Sequence, residues 1–284
     1  MRRTTVLAML ATMSTNTPTK PYVFDQTWQQ EYARLRSLEH LFDPVSQRYL
    51  QAVGIRQGWR CLEVGCGAGG LATWLADTVG PTGHVLATDL DVRFLEGRHG
   101  RANLEVRRHD LSQDQFEEGA FDLVHARAVV EHVRDRDAAV ARLVAAVRPG
   151  GWLVLEDTDY GGAAATMAAR YMIPEESAPA HERGYRAVAT LVAAIGADGT
   201  YGTRLPAALI AAGLDDVAAE VHAPLVRGGP RRGWVPLSIE NVRPRLVAAG
   251  LLSDNEIERH LRTLDDPSTR YVTPFMVTAW GRRR

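Results

Sequence analysis

The residues best suited to chemistry cluster around a run of glycines. Cys61-Leu62-Glu63-Val64-Gly65-Cys66-Gly67-Ala68-Gly69-Gly70 sets Gly65, Gly67 and Gly70 in the order G-x-G-x-x-G. Glycine lets the main chain turn tightly and approach a ligand closely. The pattern alone fits more than one nucleotide-type ligand, dinucleotides included, and it also fits an ordinary strand-to-helix turn. Glu63 stands two residues before the first glycine, where an otherwise buried carboxylate needs donors to offset its desolvation. Asp89 follows Gly67 by 22 residues. At the end of the next strand its carboxylate can accept both hydroxyls of a ribose. Asp110, in His109-Asp110-Leu111, is placed to accept from the exocyclic amine of an adenine, or to serve as a solvated turn residue.

A second set could move a proton. His125, Arg127, Glu131 and His132 lie at or after one strand, and Asp157, Asp159 and Tyr160 lie after another. Histidine titrates in the useful range for a general base. His132 and Asp157 are therefore the catalytic candidates, with a purely structural histidine and a strand-end acid as the competing readings. His125, inside a buried strand, reads as a core histidine, and His181 as a surface one. Glu156, Asp157 and Asp159 do not complete a divalent-metal ligand set, so no metal is expected.

The elements that must hold these residues are legible in the apolar rhythm. Arg60–Val64, His84–Asp89, Leu104–Arg107, Phe121–Ala126 and Trp152–Glu156 read as strands. Leu71–Val79 reads as a helix, and another carries Val140, Leu143, Val144 and Val147 before Pro149-Gly150-Gly151. Alternating strands and helices imply parallel pairing through right-handed crossovers. Ahead of them, residues 22–54 read as helical with Trp28, Leu35, Leu38, Leu41 and Leu50 as anchors, broken at Asp43-Pro44 with Asp43 as a cap. Residues 158–204 are alanine-rich and helical. Leu205–Gly213 reads as a helix, Val217–His222 as a strand and 224–236 as a basic glycine-rich loop. Ser238–Ala249 and Ser253–Leu264 read as helices, the second opened by a Ser253/Glu256 capping box, and Tyr271–Trp280 as a closing strand.

Composition narrows the function classes. The 284 residues are 45% hydrophobic, enough for a substantial core, and the formal net charge of −1 gives no global field for nucleic acid. The terminal Arg282-Arg283-Arg284 reads as a solvated tail. Cys61 and Cys66 are the two cysteines, too few for a disulfide framework, so a reducing, cytoplasmic setting is expected. No stretch approaches a membrane span, and residues 1–21 read as a disordered leader rather than a secretory signal.

Taken in order, "LEVGCGAGG", "VLATDLD", "RRHDL", "FDLVHARAVVEHV" and "VRPGGWLVLED" resemble the motifs of the class I S-adenosylmethionine (SAM)-dependent methyltransferases, ubiquinone-biosynthesis-type and actinobacterial small-molecule enzymes among them. The resemblance is strong over residues 55–160 and looser beyond. It implies an α/β, Rossmann-like sheet of seven strands with the last antiparallel, Val217–His222 and Tyr271–Trp280 as the final pair, and a helical cap. After the leader read at 1–21, the division expected is an N-terminal helical lid at 22–54, a SAM-binding core at 55–160, a cap insertion at 161–204 and the rest of the sheet and helices at 205–284. SAM is the implied cofactor, with Gly65 and Gly67 along its methionine end, Glu63 organising that end, and Asp89 on the ribose. Leu90 and Leu111 would pack on the adenine, Asp110 would take its edge, and Ala126 would offer a carbonyl to the amino group beside Arg127. Trp28 and Arg34 resemble lid residues. Met167, Tyr171, Met172, Tyr185, Arg231 and Trp234 are candidates for lining the cap, with plain core as the other reading of the Met and aromatic residues. Arg227, Arg231 and Arg232 read as a solvated basic loop or as contacts for an acidic substrate. The implied partner is a small-molecule methyl acceptor, with no nucleic acid or membrane, and with a homo-oligomer possible. Two other readings stand beside it. An NAD(P)-dependent oxidoreductase is weakened by Glu63, Asp110 and the lack of a Tyr-x-x-x-Lys relay. A non-catalytic SAM-binding protein would share the same SAM half.

Overall fold

The computed structural model describes residues 22–95, 100–230 and 233–284; the leader expected at 1–21, Arg231 and Arg232 lie outside the described residues. The chain divides into two compact units. One holds 35–158, 201–222 and 276–284; the other holds the residues up to Arg34 together with 159–200 and 223–275. The expected C-terminal part is thus shared between both units.

The first unit is built on a seven-stranded sheet. Its strands are β1 (Arg60–Val64), β2 (His84–Asp89), β3 (Leu104–Arg108), β4 (Phe121–Arg127), β5 (Val147–Asp159), β6 (Asp215–His222) and β9 (Phe275–Arg282), in the order β3-β2-β1-β4-β5-β9-β6. The first five pair in parallel, and β9 runs antiparallel to β6. Helix α2 (Gly70–Val79) and the lower part of α1 (Glu31–Ala52) cover one face, where Leu50, Leu71, Leu75 and Val79 bury Cys61, Val85, Leu123 and Val154. Helices α3 (Arg136–Ala146) and α6 (Leu205–Ala211) cover the other, packing Leu143 and Leu209 on Leu62, Val124 and Leu153. Burial on both faces explains why the central strands read as continuous apolar runs. The order of the strands reverses between β1 and β4, which opens the crevice where such sheets take their ligands.

The second unit packs α5 (Ala178–Ala194) against α4 (Gly162–Ala169), α7 (Trp234–Ala248) and α8 (Asp254–Asp265), with β7 (Leu225–Arg227) and β8 (Arg270–Val272) paired antiparallel. Ser253 and Glu256 form the expected capping box. No helix among the described residues is long and apolar enough to cross a membrane.

Several local expectations are corrected. Helix α1 continues through Asp43-Pro44 without a break. Asp43 is no cap, because its carboxylate is engaged by Arg127. Val147 belongs to β5 rather than the preceding helix. That strand runs through Pro149-Gly150-Gly151 by a register shift, Val147 facing Phe121 and Trp152 facing Leu123. The stretch from Tyr271 to Trp280 is two strands in different sheets, and the loop expected at 224–236 contains β7 and the start of α7. Arg282 and Arg283 are not a loose tail, since Arg283 donates to the carbonyls of Ala145 and Val147 at 2.8 and 2.5 Å. His181 is fully buried, not on the surface.

Candidate functional site

The glycine turn after β1 is fastened from several sides. The Gly65 and Cys66 N–H groups both donate to the Thr88 carbonyl on β2, at 2.7 and 2.9 Å. Gly65 has φ +74°, and a Cβ there would overlap the γ-methyl of Val129. Gly67, at φ +55°, donates its N–H to Asp89 Oδ2 at 2.9 Å. The other Asp89 oxygen accepts from the Asp91 N–H at 3.0 Å. Gly70, opening α2, donates to Glu39 Oε1 on α1 at 3.0 Å. Burial raises the Asp89 and Glu39 carboxyls above their ordinary values, against these main-chain donors, which favour the charged form.

Beneath the turn lies a buried row of charges, one from each central strand. His125 of β4 sits between Glu63 of β1 (Nδ1 to Oε2, 2.6 Å) and Glu156 of β5 (Nε2 to Oε1, 3.1 Å). All three are essentially inaccessible to solvent. Burial alone would depress the imidazole, but Glu63 and Glu156 outweigh it and raise His125 to about 9. Glu63 is raised by burial against the pull of His125 and Arg127, whereas Glu156 is lowered because His125 and Arg127 overcome its burial. Two residues along β4, Arg127 donates to Asp43 Oδ1 at 2.6 Å and to Ser46 Oγ at 2.8 Å. The Ser46 hydroxyl in turn donates to the Phe42 carbonyl at 3.1 Å.

The turn after β4 is held by acids. Ala128 takes φ +53°, unfavourable for a residue with a Cβ, and its N–H reaches the Glu156 carbonyl at 2.7 Å. Asp157 accepts the N–H groups of Val129 (3.0 Å) and Glu131 (3.2 Å). Glu131 Oε2 accepts the Thr158 N–H at 2.7 Å and also the Thr158 hydroxyl. His132 Nε2 lies 3.3 Å from Glu131 Oε1. The contacts of the two catalytic candidates fit the structural readings held beside the catalytic ones. Asp157 is buried with both oxygens committed to main chain and is pushed well up by burial and by Glu131; this is a fastening for the turn. His132 stays with Glu131, the acid that ties this turn to β5.

The remaining sequence candidates are dispersed. Asp110 accepts from Ser112 N and Oγ and from Gln113 Nε2, closing its own turn. Leu111 is buried in the core on the α3 side, and Leu90 is half-buried beyond β2. Ala126 lies in β4 opposite Leu155. Trp28 and Arg34 belong to the second unit. Trp28 is half-buried, and Arg34 is bidentate to Glu31 at 2.6 and 2.8 Å with its guanidinium 4.1 Å from the Phe24 ring centre. Of the cap candidates, Met172, Tyr185 and Trp234 are buried, and Met167 and Tyr171 are exposed.

Glu39, Asp43 and Ser46 were missed as site residues. Their spacing of four and three places them on one face of α1, in line with buried Leu50, a polar continuation of an apolar stripe that was there to be seen.

A nucleoside with a cationic amino-acid end fits what is present. The glycine turn exposes main chain, and Asp89 keeps acceptor capacity, because a carboxylate offers about four lone-pair sites and the main-chain N–H groups of Gly67, Asp91 and Leu90 do not use them all. Residues 62–153 match a family model described as a methyltransferase domain. The chain is 30% identical over 188 residues to methyltransferase str2 of Strobilurus tenacellus, covering 65% of this chain and 63% of that one. It is 31% identical over 116 residues to a demethylmenaquinone methyltransferase of Staphylococcus aureus, covering 39% and 48%. The chain thus spans less than two thirds of either relative. Among solved structures, a Haemonchus contortus phosphoethanolamine N-methyltransferase 2, in complex with phosphomonomethylethanolamine and S-adenosylhomocysteine, shares the fold at TM-score 0.58 and 18% identity, over 94% of this chain and 61% of that one.

Proposed function

We propose that this chain, a member of the class I SAM-dependent methyltransferase family, transfers a methyl group from SAM to a small-molecule acceptor. The observation that carries the reading is the Asp89 carboxylate at the tip of β2, fixed by the N–H of Gly67 in the glycine turn. Gly65 and Gly67 would line the donor's methionine end and Asp89 its ribose, with Leu90 and the Asp110 turn beside the base. SAM brings a sulfonium whose methyl carbon is electrophilic, so the chain's own work is placement. Glu39 and Asp89 hold the turn open from two sides, and Arg127 locks α1 to β4 through Asp43 and Ser46. Asp157 and Glu131 keep the turn after β4 in its strained form. The relatives' named activities and the near-neutral charge support a small acceptor over nucleic acid.

A thermal-shift panel tests the cofactor, because a ligand bound by the folded state alone raises the melting temperature. S-adenosylhomocysteine and SAM are expected to shift the melt while NAD and NADP do not. A shift with NAD and none with either sulfur nucleoside would reverse the assignment. Radiolabelled methyl transfer to a panel of hydroxyl, amine and activated-carbon acceptors then tests turnover.

A further inference from the structure

Of the buried groups in the sheet, His125 is the one whose contacts reach farthest across it. It belongs to β4, yet its two ring nitrogens are taken by carboxylates from both neighbouring strands, Glu63 at 2.6 Å and Glu156 at 3.1 Å. Those strands carry the parts of the site that must keep their spacing: β1 runs into the glycine turn, and β5 bears, next to Glu156, the Asp157 that holds the turn after β4. A neutral imidazole has one N–H and can donate to one carboxylate only, whereas the imidazolium donates to both. A buried carboxylate without a compensating partner is costly. The other charged or titratable groups around this row are Arg127 on the same strand, Asp43 on α1 and His222 on β6. Arg127 is engaged by Asp43 and Ser46. His222 is held below its ordinary value by burial and by Arg48. That leaves His125 as the cation in direct contact with both Glu63 and Glu156.

We propose that His125 is a positioning residue for the donor end of the site: by bridging Glu63 and Glu156 it fixes the tip of β1 against the Glu156–Asp157 stretch of β5, and donor affinity depends on that bridge. The inference rests on the methyltransferase reading and adds to it a residue that touches no substrate.

The test is calorimetric binding of S-adenosylhomocysteine to the full chain between about pH 6 and pH 10, with His125→Gln and the double variant His125→Gln/Glu156→Gln. Wild type is expected to bind with the bridge intact up to about pH 9, where His125 loses its proton, and to weaken above it. His125→Gln is expected to bind about tenfold or more weakly near pH 8, a loss of the size that follows from removing a charge-assisted contact pair. Its deficit should shrink toward pH 6, as one of the two stranded carboxylates takes up a proton. The double variant removes one stranded charge and should recover most of the loss, and its pH profile also reports the ligand's own amino-group titration. A simple packing defect would show neither the pH dependence nor the rescue. Unchanged affinity in His125→Gln near pH 8 overturns the bridge while leaving the methyltransferase reading intact. Wild type failing to bind at any pH removes that reading and the bridge with it. If His125→Gln does not fold, side-chain ¹⁵N spectra of wild type decide: both ring nitrogens protonated near pH 7.5 support the bridge, and a neutral ring overturns it.

Discussion

At the scale of single residues, Asp89 does two jobs that sequence spacing could only half anticipate. Its place at the end of β2 was readable from the interval after the glycines. That its carboxylate also braces the turn, through the Gly67 N–H at 2.9 Å, required the fold. Asp89→Ala should therefore weaken S-adenosylhomocysteine binding by at least about tenfold, the scale of losing a charge-assisted hydrogen-bond pair. Calorimetry returning the wild-type affinity would take Asp89 out of the site. His132 and Asp157 illustrate the opposite case. Their types and position advertise acid–base chemistry, but the Val129 and Glu131 N–H groups that commit Asp157 come from a turn whose approach no local pattern encodes, whereas His132 is paired with its own neighbour, Glu131. Glu63 reads from sequence as an acid in need of donors, and the structure supplies one in His125, a residue 62 positions away.

At the scale of elements, the strands and helices around the glycine turn were legible because each alternates apolar runs with turn residues. The failures have a common cause. Pro44 and the Pro149-Gly150-Gly151 segment carry strong local breaking signals that tertiary contacts override. Asp43 and Ser46, on either side of Pro44, are both gripped by Arg127, and the β5 segment is accommodated by a register shift against β4. The turns after β1 and β4 are built as a pair: Gly65 has no Cβ, and the γ-methyl of Val129 occupies the space one would fill. Gly65→Ala should cost about 2–4 kcal/mol, combining overpacking with a left-handed backbone. Adding Val129→Ala should return the overpacking part and leave roughly 1 kcal/mol from the positive φ. Urea denaturation of the two variants checks this. A double variant no more stable than the single one would show that Val129 is not what excludes a side chain at that position.

At the scale of the whole molecule, the two units place buried histidines under opposite electrostatic conditions, and this sets opposite responses to pH. In the sheet unit His125 is raised to about 9, above its unfolded value near 6.5. Its contribution is complete below about pH 6.5 and is lost as pH rises through about 9, a swing of roughly 3 kcal/mol. The raised carboxyls of Glu63 and Asp157 lean the same way, toward greater stability in acid. In the helical unit His181 and His260 are buried with ring centres 5.3 Å apart, and the rings of Tyr185 and Tyr271 lie against His181. Burial lowers His181 to about 4, and burial together with His181 lowers His260 to about 3. Their contribution is complete above about pH 6.5 and is lost as pH falls, because the unfolded chain takes up protons that the folded unit refuses. Hydrogen exchange, corrected for the intrinsic pH dependence of the amide rate, separates the two. Near pH 5 protection should fall in α5 and α8 while β1 and β4 hold, and near pH 9 the order should invert. Protection that rises and falls together in both sets of elements would mean that the chain responds to pH as one cooperative block, and that the two histidine environments do not set local stability.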